Sequence, residues 1–207
     1  MTATADPLTE RRGAGGRPRN AALDGLILEA VRDLLVESGY HALSVQEVTR
    51  RCNVHVRTIA RRWPTKAELV TAAIAGGDDP RTNLPAATGR LRDDVRALVE
   101  VSLEYLGRPA TRTAMPALMA EMRTNQQVAL RLQRRQKDLR AAVQHMLECA
   151  VESGDAPNHV RHTSSHVSNL ITGAAFSVQF MDPDPPTKLP VDELTHLILA
   201  AILGGSS

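Results

Sequence analysis

Residues 44–66 read SVQEVTRRCNVHVRTIARRWPTK. The stretch opens and closes with the same device: Ser44 is followed three residues on by Glu47, and Thr65 by Glu68. In such a capping box the hydroxyl accepts from the third helical N–H while the carboxylate reaches back to the cap N–H. Helices are therefore predicted to start at 45 and at 66. Between them lies a third, short one. Asn53 tolerates the left-handed conformation that ends a helix and turns a corner. Val54 is a candidate wedge, and Val56, Ile59 and Ala60 a candidate inward face. That leaves Arg57, Thr58, Arg61 and Arg62 pointing outward. Helix, tight turn and a short helix with a basic outer face describe a helix-turn-helix that reads DNA.

Charge supports this reading. The stretch carries Arg50, Arg51, Arg57, Arg61, Arg62 and Lys66 against Glu47 alone, whereas the whole chain is only +2. Basic charge concentrated on one short segment is what a phosphate-binding face requires.

The run Ser44-x3-Val48-x5-Val54-x3-Thr58-Ile59-x3-Trp63-Pro64-Thr65-Lys66-x2-Leu69 also resembles the DNA-binding domain of the tetracycline-repressor-like (TetR) regulators. Their pattern reads T-x3-I-A-x2-A-G-V-S-x2-T-(L/I)-Y-x-H-F-x-(S/T)-K-x2-L, and the resemblance spans about residues 22–75. Several positions depart from it. Asn53 stands for the turn glycine and His55 for the small serine cap. Ala60 stands for a tyrosine and Arg62 for a histidine, both usual phosphate contacts, and Trp63 replaces phenylalanine as core anchor. Arg62 is expected to compensate for the missing tyrosine hydroxyl. The candidate DNA-binding residues are Arg19, Ser44, His55, Val56, Arg57, Thr58, Arg61, Arg62 and Lys66.

Apolar residues make up 43% of the 207-residue chain, with one Trp, two Tyr and two Phe. A core so poor in aromatics must be built of Leu, Val, Ala, Ile and Met, which favours helices. No apolar run approaches the ~18 residues of a membrane span, and the first twenty residues lack the apolar segment of a signal peptide. A cytoplasmic protein is expected. Cys52 and Cys149 do not suggest a disulfide scaffold, and Cys52 reads as a small core residue.

Residues 1–19 lack periodicity and are rich in Gly, Pro and Arg. They read as a disordered basic arm, suited either to a minor groove beside the site or to solubility alone. Helix 1 is predicted over about 20–38, with Gly39 as its stop, and a fourth helix over about 66–75, closing a DNA-binding domain at 20–77. Residues 76–88, GGDDPRTNLPAAT, form a boundary. Five further helices are predicted over about 88–107, 111–124, 126–153, 159–181 and 191–203. Gly107 and Pro109 read as the stop of the first of these, and Pro116 as a kink or a late start of the next. No strand alternation occurs. The fold class is all-α, of about nine helices.

The last two helices differ from the rest. VDELTHLILAAIL, residues 191–203, is apolar nearly all round and must be covered on more than one side. With the stripe on 159–181 it suggests pairing of two subunits through a four-helix bundle, as the resemblance also implies. The candidate dimer interface is Leu170, Ala174, Val178, Leu194, Leu197, Ile198 and Ala201. A candidate pocket for a small apolar or amphipathic effector is lined by Val99, Leu103, Met115, Leu118, Met119, Met122, Val143, Met146 and Leu170, the methionines being adaptable. His162 and His166 could approach one metal, yet no cysteine or carboxylate joins them at ligand spacing, so they read as surface histidines. Nucleophile elbows, phosphate loops and dinucleotide fingerprints are missing. No cofactor and no enzymatic activity are expected.

The sequence thus predicts a homodimeric regulator of transcription. Residues 88–204 would dimerise and bind an effector that releases a near-palindromic operator. The effector-driven two-state mechanism is implied by the resemblance, not by spacing. A DNA-binding protein without effector, or a helical carrier or enzyme, are the alternatives.

Overall fold

The computed structural model describes residues 21–75, 84–181 and 188–204. Among these, nine α-helices occur and no strand. In chain order they are α1 Ala21–Ala42, α2 Val45–Cys52, α3 Val56–Ala60, α4 Lys66–Ala75, α5 Leu91–Gly107, α6 Pro109–Glu121, α7 Gln126–Glu152, α8 Ser164–Phe176 and α9 Val191–Leu203. None is long and apolar enough to cross a membrane.

Helix α1 bends at Gly39, whose φ of 82° only glycine adopts without strain. The chain turns there and delivers Leu43 and Ser44 to the start of α2. Ile27, Val31, Leu35, Val48, Ile59, Leu69 and Val70 are buried together beneath α1–α4, and Trp63 closes one side. Every residue of α4 from Ala67 to Ile74 is buried. Such a helix needs partners all round: α4 packs on α1 on one side and on α6 and α7 on the other, while α1 also lies on α6. The candidate DNA-binding helices are thereby fixed to the C-terminal ones.

In the C-terminal half α5 is central, packing on α6, α7, α8 and α9, and α7 packs along α8. Helix α5 starts at Leu91, three residues later than the periodicity predicts. Gly89 takes a φ of 81°, and the buried Asp94 carboxylate turns back to accept from Thr88 N at 2.9 Å and Gly89 N at 3.1 Å. The first N–H of the helix is capped from a distance: Leu91 N donates to Asp155 Oδ2 at 2.6 Å. Pro109, read from sequence as part of a stop, instead begins α6, where its missing N–H costs nothing. Helix α6 runs on through Pro116 to Glu121.

The predicted helix over 159–181 resolves into three pieces. A 3-10 turn, Asn158–His162, precedes α8, and a π turn, Ser177–Met181, follows it. The widened turn carries Phe180, stacked at 4.6 Å on Phe176, the last residue of α8. It also aims the buried Gln179 inward, where Nε2 donates to Leu103 O at 3.2 Å. Gly107 leaves the space for that amide: a Cβ there would meet Gln179 Nε2 at 2.8 Å.

Candidate nucleic-acid interface

Local chemistry builds the helix-turn-helix. Ser44 caps α2 by accepting from Glu47 N at 3.2 Å. The Glu47 carboxylate does not return to the cap, because Arg50 takes it; Arg50 Nε donates to Glu47 Oε2 at 3.0 Å. Asn53 ends α2 at φ 52°, ψ 46°, the left-handed region, and its N–H bonds Thr49 O. Thr65 opens α4 by accepting from Glu68 N at 3.1 Å, while its own hydroxyl donates to Glu68 Oε1 at 3.1 Å. That box closes through the hydroxyl rather than the cap N–H. His55 precedes α3 and makes no side-chain cap bond.

Helix α3 has five residues, so it turns only one position fully inward. That position is Ile59, wholly buried. Val56 and Ala60, expected from sequence on the inward face, are exposed, Val56 by 51%. The neighbouring wedge is supplied by Val54 and Trp63 outside the helix. His55, Val56, Arg57, Ala60 and Arg61 therefore form the exposed surface, with Thr58 half-buried beside them.

Ion pairs reduce the charge available on this surface. Arg51 Nη2 lies 2.6 Å from Glu37 Oε2, and Arg50 pairs with Glu47. The guanidinium of Arg51 holds the Glu37 carboxyl below the usual carboxylate range, and that of Arg50 does the same to Glu47. Arg62 is turned away from solvent. Its Nε lies 2.5 Å from Asp24 Oδ1 in α1, its side chain is 13% exposed, and Nη1 donates to Thr58 O at 3.1 Å. The sequence reading of Arg62 as an outward phosphate contact is thus corrected: Asp24, 38 positions earlier, draws it in. Arg57 and Arg61 are exposed and have no carboxylate partner among the described residues. Lys66 Nζ donates to His41 O at 3.1 Å and sits 4.6 Å from the centroid of the Tyr40 ring, positively charged and unpaired with any carboxylate among the described residues. Ser44 is half-buried and committed to its cap. Arg19 and the basic arm lie outside the described residues, as do the ends of the 20–77 segment.

The candidate pocket residues divide. Val99, Leu103, Met115, Leu118, Val143 and Met146 are buried in the core between α5, α6 and α7, and Met122 is partly buried against it. Met119 and Leu170 are 44% and 46% exposed. They lie on the outer sides of α6 and α8 and do not line an interior pocket in this structure. Sequence reasoning missed Tyr105 on α5, a buried ring with the Arg135 guanidinium 4.7 Å and that of Arg108 5.8 Å from its centroid. Burial pushes the Tyr105 phenol up and the Arg135 guanidinium down. No spacing rule could have joined these three positions.

The candidate dimer residues divide as well. Leu170, Leu197 and Ala201 are exposed along α8 and α9, together with Met181 and Leu203. Ala174, Val178 and Leu194 are half-buried beside them. Ile198 is 4% exposed and belongs to the chain's own core, so its assignment to the interface is corrected. One residue along a helix is a rotation of about 100°, which carries Ile198 from the exposed face of Leu197 into the core. His162 and His166 are exposed, and no group of three metal-ligating side chains occurs among the described residues.

Comparison with known proteins agrees with this arrangement. Residues 27–73 match the family described as bacterial regulatory proteins, tetR family, and residues 85–198 match the tetracyclin repressor-like C-terminal domain. An uncharacterized HTH-type transcriptional regulator of Mycobacterium tuberculosis, Rv1556, is 31% identical over 182 residues, covering 87% of this chain and 88% of its own. A DNA-binding transcriptional repressor, TetR, of Mycobacteroides abscessus is 36% identical over 84 residues, 41% of this chain and 42% of its own. In fold, GusR of Salmonella enterica superposes with a TM-score of 0.63 at 20% identity, covering 91% of this chain and 98% of its own. With both halves matched and the α2–α3 surface in place, the chain belongs to the TetR family of DNA-binding transcriptional regulators.

Proposed function

We propose that the chain is a cytoplasmic repressor that binds a near-palindromic operator as a homodimer and is released by a small apolar or amphipathic effector. Helices α1–α4 form the DNA-binding domain, with Arg57 and Arg61 reading bases. Helices α5–α9 form the effector-binding and dimerisation domain. The observation that carries the reading is the burial of α4 between α1 on one side and α6 and α7 on the other. Packed elements shift as units, so a displacement of α6 or α7 is passed to α4 and from there to α3. An effector that favours a conformation with the wrong spacing between recognition helices weakens DNA binding by its differential affinity for the two states. The exposed apolar row Leu170, Met181, Leu197 and Leu203 supports a second copy as the cover for α8 and α9. The repressor named in the Mycobacteroides relative supports the sign of regulation.

The experiment is selection of binding sites from random DNA with purified full chain. Sedimentation of the recovered complex and a screen of small apolar compounds for release follow. Two-fold related half-sites about 34–36 Å apart or a multiple of that are expected. A single half-site bound by a monomer would overturn the homodimer, and retention of DNA by every compound would favour a regulator without effector.

A further inference from the structure

We infer that Tyr40 is a positioning residue for DNA binding: through it the Glu121 carboxylate at the end of α6 sets where Lys66 stands at the start of α4. Three elements distant in sequence meet at this one ring. Tyr40 follows the Gly39 bend of α1 and is buried. Its hydroxyl donates to Glu121 Oε1 at 2.5 Å. Its ring face carries the Lys66 ammonium 4.6 Å from the centroid, and the same ammonium donates to His41 O, the carbonyl next along from Tyr40, at 3.1 Å. The adjoining residues repeat the tie. Asn125 Nδ2 reaches Thr65 Oγ1, immediately before Lys66, at 3.4 Å, and Asn125 N donates to Glu121 O at 2.8 Å.

The chemistry gives this node a direction. A ring face and a carbonyl hold an ammonium without neutralising it, so Lys66 keeps its charge for a phosphate. Burial first, and then the bond to Glu121, push the Tyr40 phenol well above its ordinary range, so its hydroxyl stays protonated and donating at physiological pH. Should the end of α6 withdraw, a buried hydroxyl loses a charged acceptor, which is among the costlier hydrogen bonds to leave unmade. The ring and the His41 carbonyl then relax together, and Lys66 loses both of its holds at once. Glu121 is the last residue of α6 and Lys66 the first of α4, so the node joins the two helices at their ends. The inference rests on Lys66 belonging to the DNA-facing surface.

The test is a titration of the full chain with the operator duplex recovered by site selection, at several salt concentrations. The variants are Tyr40→Phe, Glu121→Gln, Lys66→Met and their pairwise combinations. Tyr40→Phe keeps the ring and removes only the donor. Each of Tyr40→Phe and Glu121→Gln should weaken binding roughly tenfold, the range of a hydrogen bond to a charged group, and the pair should lose little more than either alone. Lys66→Met should lower the salt slope by about one per half-site, and in that background Tyr40→Phe should change affinity less than about twofold. Emission from Trp63, the one tryptophan, separates these effects from unfolding; should Tyr40→Phe fail to fold, Glu121→Gln carries the same comparison. Wild-type affinity in both Tyr40→Phe and Glu121→Gln, or an undiminished loss in the Lys66→Met background, overturns the inference. An unchanged salt slope in Lys66→Met also overturns it, by removing Lys66 from the DNA face, while leaving Arg57 and Arg61 in place.

Discussion

Asp24 and Arg62 face each other at 2.5 Å, Oδ1 to Nε, across the seam between the first turn of α1 and the chain just beyond α3. The two atoms are buried and close, yet not aligned as a hydrogen bond. The pair fixes the orientation of α3 against α1 at the expense of one cation on the DNA side. Removing one partner of a buried pair strands the other, at about 3–5 kcal/mol when burial is complete. With these side chains 13% and 23% exposed, solvent screening reduces that figure, and we expect roughly 1–2 kcal/mol. Arg62→Ala should therefore lower the melting temperature, Asp24→Ala/Arg62→Ala should recover part of the loss, and the salt slope of operator binding should stay near the wild-type value. A slope lowered by one unit per half-site with unchanged melting would mean that Arg62 leaves Asp24 for a phosphate.

Arg57 and Arg61 behave differently, because no carboxylate among the described residues competes for them. Alanine at whichever contacts a base should cost about 1–3 kcal/mol and relax sequence preference at one position of each half-site. Repeating the site selection with each variant checks this. Unaltered affinity and preference in both would mean that another face of α3 meets the groove.

Asn53 occupies the left-handed corner between α2 and α3 at φ 52°. Asn53→Gly should leave stability unchanged or slightly raised, since glycine adopts that conformation without a Cβ clash. Asn53→Ala should destabilise by about 1 kcal/mol. Urea unfolding of both variants measures the difference, and equal midpoints would mean that the corner tolerates any residue.

These cases show what was legible in the sequence. Local rules sufficed for the N-cap at Ser44, the corner at Asn53, the break at Gly39 and the span of α9, because each depends on neighbours within about four residues. They failed where a distant side chain intervenes. Asp24 redirects Arg62, Asp155 caps α5, and Glu121 fixes Tyr40; each of these partners lies at least 38 positions from its target. Periodicity also misassigned faces in two helices where apolar residues lie within one turn of each other. Val56 and Ile59, or Leu197 and Ile198, are equally apolar, and only packing decides which one faces in.

The last of these pairs supplies the sharpest test of assembly. Leu197 is 63% exposed on α9, whereas Ile198 is 4% exposed and packed in the chain's own core. An aspartate at 198 places an unpaired charge in that core, where the desolvation penalty amounts to several kcal/mol, about the whole stability of a typical domain. Ile198→Asp should lose its helical circular dichroism or melt far below the wild type. An aspartate at 197 meets water in the isolated chain and a second apolar face only in a dimer. Leu197→Asp should therefore keep a wild-type helical spectrum, sediment as a monomer at micromolar concentration, and lose operator affinity although every residue of the α2–α3 surface is intact. A monomer holds one half-site and half the phosphate contacts, so its salt slope should fall by about half. Circular dichroism and sedimentation velocity on the two variants side by side separate core from interface. A Leu197→Asp protein that remains dimeric would move the interface off this face of α9.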